Sequence, residues 1–220
     1  MPVRVQIAGV SSLEEALALE RMGADALGFT VRLPGGIHDG LTEAKARSII
    51  AVLPPFLACV AITYVDNARD AIDLCRGLGV AAIQLHGECP ARELELLRAA
   101  APHVKIIRVV HVTGEEALAG ARRLERRVDA LILDTYDAAT GRGGATGKMH
   151  DWAISRRIVV LAQTPVILAG GLGPENVADA IRAVCPAGVD SKTKTDRPGS
   201  HRKDLGLVRR FHEAAAATPR

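Results

Sequence analysis

Aromatic side chains are scarce in this chain: one Trp, two Tyr and three Phe make up 3% of 220 residues. A stacking surface for single-stranded nucleic acid needs a row of aromatics, so that function class is excluded. A core without them must be aliphatic, and Ala, Val, Leu and Ile suit parallel strands buried on both faces. Cysteine is sparse too. Cys59, Cys75, Cys89 and Cys185 form no C-x-x-C pair and no zinc-ligand spacing, so neither a metal site nor a disulfide framework is expected. The pattern suits a reducing, cytoplasmic setting. No long run of one charge occurs, and the net charge is only +3. The basic stretch Arg122–Arg127 is broken by Leu124 and Glu125 and reads as a solvated helix end, not a nucleic-acid footprint. Residues 1–10 lack the apolar core of a secretory signal. No apolar stretch is long enough to span a bilayer.

What is present is a repeated alternation. Short apolar runs begin near Val3–Ile7, Ala26–Val31, Ala58–Tyr64, Ala81–Leu85, Lys105–Val110, Ala130–Leu133, Val166–Leu168 and Gly188–Val189. They are β-branched and bounded by Gly, Pro or polar residues, as strands are. Between them lie amphipathic segments at helical spacing. These are Ser12–Met22, Thr42–Leu53, Asn67–Leu78, Ala91–Ala100, Glu115–Leu124, Asp151–Leu161, Pro174–Val184 and Asp204–Ala215. Ser11 or Ser12 and Thr42 read as N-caps, and Pro174 as a first-turn residue. Strand then helix, eight times, predicts parallel βαβ units. Eight units in one domain spanning residues 1–220 point to a closed (β/α)8 TIM barrel. An open doubly wound sheet is the alternative, and the lack of a Gly-rich loop after the first strand argues against it.

In such a barrel the chemistry sits at the C-terminal strand ends. Gly170 and Gly171 follow the seventh strand and expose backbone N–H groups, which makes them a phosphate cradle or simply a tight turn. Asp134 directly follows the apolar sixth strand, where a carboxylate can trade protons with a substrate. The loop Gly141 to Gly147 is glycine-rich and can act as a lid over a ligand or be ordinary surface. His86 ends the fourth strand, as a ligand contact or as a structural group; the residue alone does not choose. Cys89 lies just before the next helix and reads as an ordinary loop thiol.

These segments resemble a known family. Val5-Gln-Ile-Ala-Gly-Val, Ile83-Gln-Leu-His-Gly-Glu, Leu133-Asp-Thr-Tyr-Asp, Ala145-Thr-Gly-Lys and Ile167-Leu-Ala-Gly-Gly-Leu-Gly-Pro-Glu-Asn-Val are similar to phosphoribosylanthranilate isomerases, in order over nearly the whole chain. The resemblance implies a tryptophan-pathway enzyme without a cofactor. It would open the ribose ring of its substrate and carry out an Amadori-type aldose–ketose isomerisation. Its partner would be a phosphorylated small molecule, not nucleic acid or a membrane, and the chain itself a monomer or homodimer. The family's general acid after strand six maps to Asp134.

Three departures stand out. The family's K-I-C-G pattern, whose cysteine is the base, reads Gln6-Ile7-Ala8-Gly9 here. Ala8 cannot accept a proton, and losing a positioned base typically costs about 10²–10⁴ in rate. The family's loop arginine after strand two has no direct counterpart. Its position falls near His38, and Arg32 is the available substitute. The small-residue loop after strand eight reads Asp190-Ser-Lys-Thr-Lys-Thr-Asp196, so Lys192, Thr193 and Lys194 become phosphate-binding candidates. Lys192 and Lys194 admit three readings: phosphate contacts, a base or Schiff-base nucleophile, or solvated lysines. The missing base falls to His38, His86, Cys89 or Lys192. Three function classes follow: a family-type isomerase, a diverged lyase or dehydratase using Asp134 and Lys192, and a non-catalytic sugar-phosphate binder.

Overall fold

Residues alternate between the inside and the outside of the sheet along each strand, and this period of two organises the molecule. The structure, a computed structural model, describes residues 2–34, 40–137, 142–143 and 149–219. Its main strands are β1 (Arg4–Ala8), β2 (Ala26–Thr30), β3 (Ala58–Thr63), β4 (Ala82–Leu85), β5 (Lys105–His111), β6 (Ala130–Asp134), β7 (Val166–Leu168) and β8 (Gly188–Ser191). All eight are parallel and close in chain order, with β1 paired to both β8 and β2. The helices are α1 (Leu13–Arg21), α2 (Glu43–Ile50), α3 (Ala68–Leu78), α4 (Ala91–Ala100), α5 (Glu116–Leu124), α6 (Trp152–Leu161), α7 (Val177–Val184) and α8 (Leu205–Ala216). This is the eight-unit barrel that the alternation implies. An antiparallel pair of two residues each, Tyr136–Asp137 with Arg142–Gly143, rises beyond β6.

Two apolar layers hold the barrel. Outward residues such as Ile7, Leu27, Phe29, Leu85, Leu131 and Leu133 are fully buried against the helices. Each contributes about 1.5–3 kcal/mol by leaving water. Inward residues Ala8, Val60, Ile62, Ile107, Val109, Ile132 and Ala169 form a separate interior cluster. The inner wall turns polar toward the C-terminal strand ends. There Gln6, Gln84, Asp134 and Asp190 are all buried.

Local capping sets where most helices start. Ser12, Thr42 and Asn67 each accept a hydrogen bond from the backbone three residues on, and Asp151 and Asp204 cap α6 and α8. Each cap is worth about 1 kcal/mol. Pro174 departs from expectation, because α7 begins only at Val177. The Asn176 side chain accepts from Gly173 N at 2.9 Å, and Asn176 N donates to Gly173 O at 3.2 Å. That closed turn delays the helix. No helix among the described residues is long and apolar enough to cross a membrane.

Candidate active site

Asp134 closes β6 and is only 6% exposed. Its Oδ1 accepts from Thr135 N at 2.7 Å, and no described residue donates to Oδ2. Burial raises the carboxyl to about 6, against the pull of the Thr135 bond. A carboxyl so placed can hold or release a proton near neutrality.

The β7 loop comes up against it. Gly170 and Gly171 have φ of 80° and 66°, in the left-handed region that favours glycine. A Cβ on Gly170 would collide with Thr135 Oγ1 and lie 2.9 Å from His150 Nδ1. No described residue accepts from the Gly170 or Gly171 amide, so both N–H groups remain for an anion. Ser191 Oγ donates to Leu172 O at 2.7 Å and ties the β8 end to this loop. A Cβ on Gly173 would stand 3.0 Å from Lys194 Cβ. Thr193 and Lys194 are exposed in the 3-10 turn Thr193–Thr195. The loops after β7 and β8 therefore form one rim.

Lys192 bends the other way. Its stem runs along Gly9, where an added Cβ would lie 3.1 Å from Lys192 Cε. Its amine is 3.3 Å from Asp196 Oδ2 and 3.4 Å from His201 Nδ1. Asp196 also binds Lys203, whose side chain is entirely buried and reaches Asp196 Oδ1 at 2.6 Å and Lys192 O at 3.0 Å. Burial lowers Lys203, while Asp196 works against that shift. Glu15 accepts from Lys203 N at 3.0 Å and Ser11 N at 2.9 Å, joining the β8 loop to the start of α1. The loop after β8 is thus braced by two cations on one carboxylate.

His86 belongs to a chain of bonds that crosses the barrel. Gln6 Nε2 donates to Asp190 Oδ1 at 3.1 Å and to Gln84 Oε1 at 2.9 Å, and Gln84 Nε2 lies 2.8 Å from His86 Nε2. With Gln84 donating, His86 Nε2 accepts and Nδ1 carries the proton. Burial, then His111 and Arg108, push His86 down to about 3, so the ring is neutral. Its Nδ1 is sealed from solvent without a partner among the described residues, as is His111 Nε2. Both tyrosines of the chain sit beside these histidines. Tyr64 faces His86 and Tyr136 faces His111, each with ring centroids 5.5 Å apart.

Arg32 is engaged within the protein. Its guanidinium contacts Glu43 at 2.7 and 3.2 Å and donates to Asp70 O at 3.0 Å. It ties the β2 end to α2 and α3. Cys89 is buried, and burial raises its thiol, which suits a packed residue and not a base. His38 and Gly147 lie outside the described residues. Among the described residues no group of His, Cys, Asp and Glu is placed to hold a metal ion.

Sequence reasoning did not single out Gln6, Gln84, His111, His150 or Asp190. The signal for the first two was a glutamine within an apolar strand, one or two residues before the strand end. That spacing places it inside the barrel, one layer below the mouth.

Comparison with known proteins agrees with this architecture. The family model for N-(5'phosphoribosyl)anthranilate (PRA) isomerase matches residues 8–214. The N-(5'-phosphoribosyl)anthranilate isomerase of Methanocella arvoryzae is 40% identical over 215 residues, covering 98% of this chain and 99% of that protein. Isomerase 2 of Methanosarcina mazei is 37% identical over 212 residues, covering 96% and 94%. The crystal structure of phosphoribosyl anthranilate isomerase from Thermotoga maritima superposes with a TM-score of 0.83 at 31% identity, covering 97% and 98% of the two chains. A further isomerase structure, in complex with reduced 1-(o-carboxyphenylamino)-1-deoxyribulose 5-phosphate, has a TM-score of 0.81 at 30% identity and covers 97% and 98%.

Proposed function

We propose, from the premise that this chain belongs to the N-(5'-phosphoribosyl)anthranilate isomerase family, that it isomerises phosphoribosylanthranilate with Asp134 as the proton donor. The observation that carries this reading is Asp134 itself. It is a buried carboxyl raised to about 6, one residue from the Thr135 that packs on the Gly170–Gly171 turn and its open amides.

The steps follow from those groups. The phosphate binds the Gly170 and Gly171 amides, with Thr193 and Lys194 on the facing rim. Lys192 adds positive charge, since its ion pair with Asp196 suits a cationic contact better than a neutral nucleophile. Anchoring the phosphate holds the ribose near Asp134, which lowers the entropic part of the barrier. Asp134 then gives its proton to the ring oxygen. The C1–O bond breaks, and the nitrogen lone pair forms the C1=N bond of an iminium. Removing the C2 proton and moving a proton to C1 completes the ketoamine.

The test is turnover of phosphoribosylanthranilate by the wild type and by Asp134→Asn. The expected result is conversion that falls about 10²–10⁴-fold in the variant, with binding of a reduced ketoamine phosphate kept. A wild type that binds this analogue but turns over nothing contradicts the proposal and favours a sugar-phosphate binder.

A further inference from the structure

Every isomerisation of this kind needs a group to take the C2 proton, and Ala8 offers only a methyl. Strand register shows what lies nearby. Leu133 pairs with Leu168, and Leu168 with Val189, so the next residues, Asp134, Ala169 and Asp190, stand level on three neighbouring strands. Gln6 pairs with Asp190 from the other side. Ala169 belongs to the interior cluster with Ala8 and Ile132, so the alternation turns Asp134 and Asp190 inward as well. Their backbones are two strand spacings apart, roughly 10 Å, and inward side chains converge from there. Two carboxyls thus flank a floor made by one alanine.

We propose that Asp190 is the proton acceptor of this isomerase, taking the C2 proton from one layer beneath Ala8. The inference rests on the isomerase reading above.

The bonding of Asp190 suits that work. It is 8% exposed and has no ion-pair partner among the described residues. Gln6 Nε2 holds Oδ1, and no described residue donates to Oδ2. Gln6 cannot turn freely, because the same amide nitrogen is on Gln84 and Gln84 is on His86. The chain of amides therefore fixes the carboxylate with one oxygen bound and one open. Above it on β1 stands only the methyl of Ala8, while Lys192 is drawn aside along Gly9.

Electrostatics couple the two carboxyls. Burial raises Asp190 to about 7, repulsion from Asp134 adds to this, and Gln6 and Lys203 oppose it. Asp134 and Asp190 repel each other's charge, so near neutrality the pair holds one proton. The reaction draws on the tautomer of that state with the proton on Asp134 and the open carboxylate on Asp190, the less populated of the two because Asp190 holds its proton the more tightly. The other candidates fit less well. His86 is a poor acceptor at about 3, and its Nε2 is already occupied. Lys192 is paired with Asp196.

The step balances. The C2–H bond breaks and its proton goes to Asp190 Oδ2. The electron pair forms the C1=C2 bond, and the C1=N π pair moves to nitrogen, which neutralises the iminium. The enaminol then gains a proton at C1 and loses one from the C2 hydroxyl. Asp134 has lost one proton and Asp190 has gained one, and exchange with water restores both.

The experiment compares the wild type, Asp190→Asn, Ala8→Cys and the double variant on phosphoribosylanthranilate, with circular dichroism and melting as fold checks. Asp190→Asn is expected to lower turnover about 10²–10⁴-fold while still binding the reduced ketoamine phosphate. Adding Ala8→Cys should restore at least tenfold of that loss by placing a thiolate at the end of β1, and should not rescue Asp134→Asn. Turnover that needs Asp134 but survives Asp190→Asn within threefold overturns this proposal alone. So does a folded double variant as inactive as Asp190→Asn. An inert wild type overturns the isomerase reading, and this assignment with it.

Discussion

Lys203 Nζ lies 2.6 Å from Asp196 Oδ1, and the two side chains are 0% and 6% exposed. Breaking a buried pair leaves a charge without compensation, which typically costs about 3–5 kcal/mol. Asp196 keeps a second cation in Lys192, so Lys203→Met should destabilise by about 3 kcal/mol, at the low end of that range. Urea denaturation checks this. Loosening the 192–196 turn should also weaken phosphate binding. A variant as stable as wild type contradicts the bracing role.

Gly170 has no room for a side chain. Gly170→Ala would force a methyl onto Thr135 Oγ1 at a φ of 80°. The strain should cost about 1–3 kcal/mol and displace the amides offered to phosphate. Inorganic phosphate should raise the melting temperature of the wild type by mass action and raise that of the variant much less. Equal shifts would remove these amides from the phosphate site.

Asp190 should leave a mark on stability as well as rate. Its folded value, about 7, lies above the 3.8 of a free carboxyl. The folded state therefore binds more protons between those values, and this group's contribution to stability falls as pH rises through that window. Asp190→Asn cannot ionise, so it should be more stable than wild type at pH 8 by up to about 4 kcal/mol, and no more stable at pH 3. His86 and His150, pushed down to about 3 and about 4 by burial, have the opposite sign. They favour folding as pH rises toward 6.5, and they act alike in both proteins. Denaturation at the two pH values, compared between the proteins, isolates Asp190.

Arg32 gives a negative prediction. Its ion pair with Glu43 is partly exposed, with side chains 30% and 40% accessible. Such pairs contribute about 0–1 kcal/mol. Arg32→Ala should lower stability by no more than that and leave the affinity for the reduced ketoamine phosphate unchanged. A tenfold loss of affinity would return Arg32 to the ligand site.

Much of this was legible in the residues. The aliphatic strands and amphipathic helices alternate cleanly because the barrel buries both faces of each strand. Ala91–Ala100 is a helix over the span its periodicity marks. The positions of Asp134 and Gly170–Gly171 at the barrel mouth were readable because each follows directly on an apolar strand. The start of α7 was not, since it depends on one asparagine side chain competing with the backbone for Gly173. Nor was the partnership of Gln6 with Gln84 and Asp190, which lie 78 and 184 residues away in the chain. A glutamine in an apolar strand announces a buried polar group without naming its partner. For Arg32 the charge was visible in the sequence and the direction of the side chain, toward Glu43 and Asp70, was not.

The most direct measurement is the steady-state conversion of phosphoribosylanthranilate by the unmodified protein, followed from about pH 5 to about pH 9, the range that brackets both carboxyls. Turnover should peak near neutrality, where one proton is shared by Asp134 and Asp190, and fall on both sides. No conversion at any pH, by folded protein that binds the reduced ketoamine phosphate, would contradict that expectation.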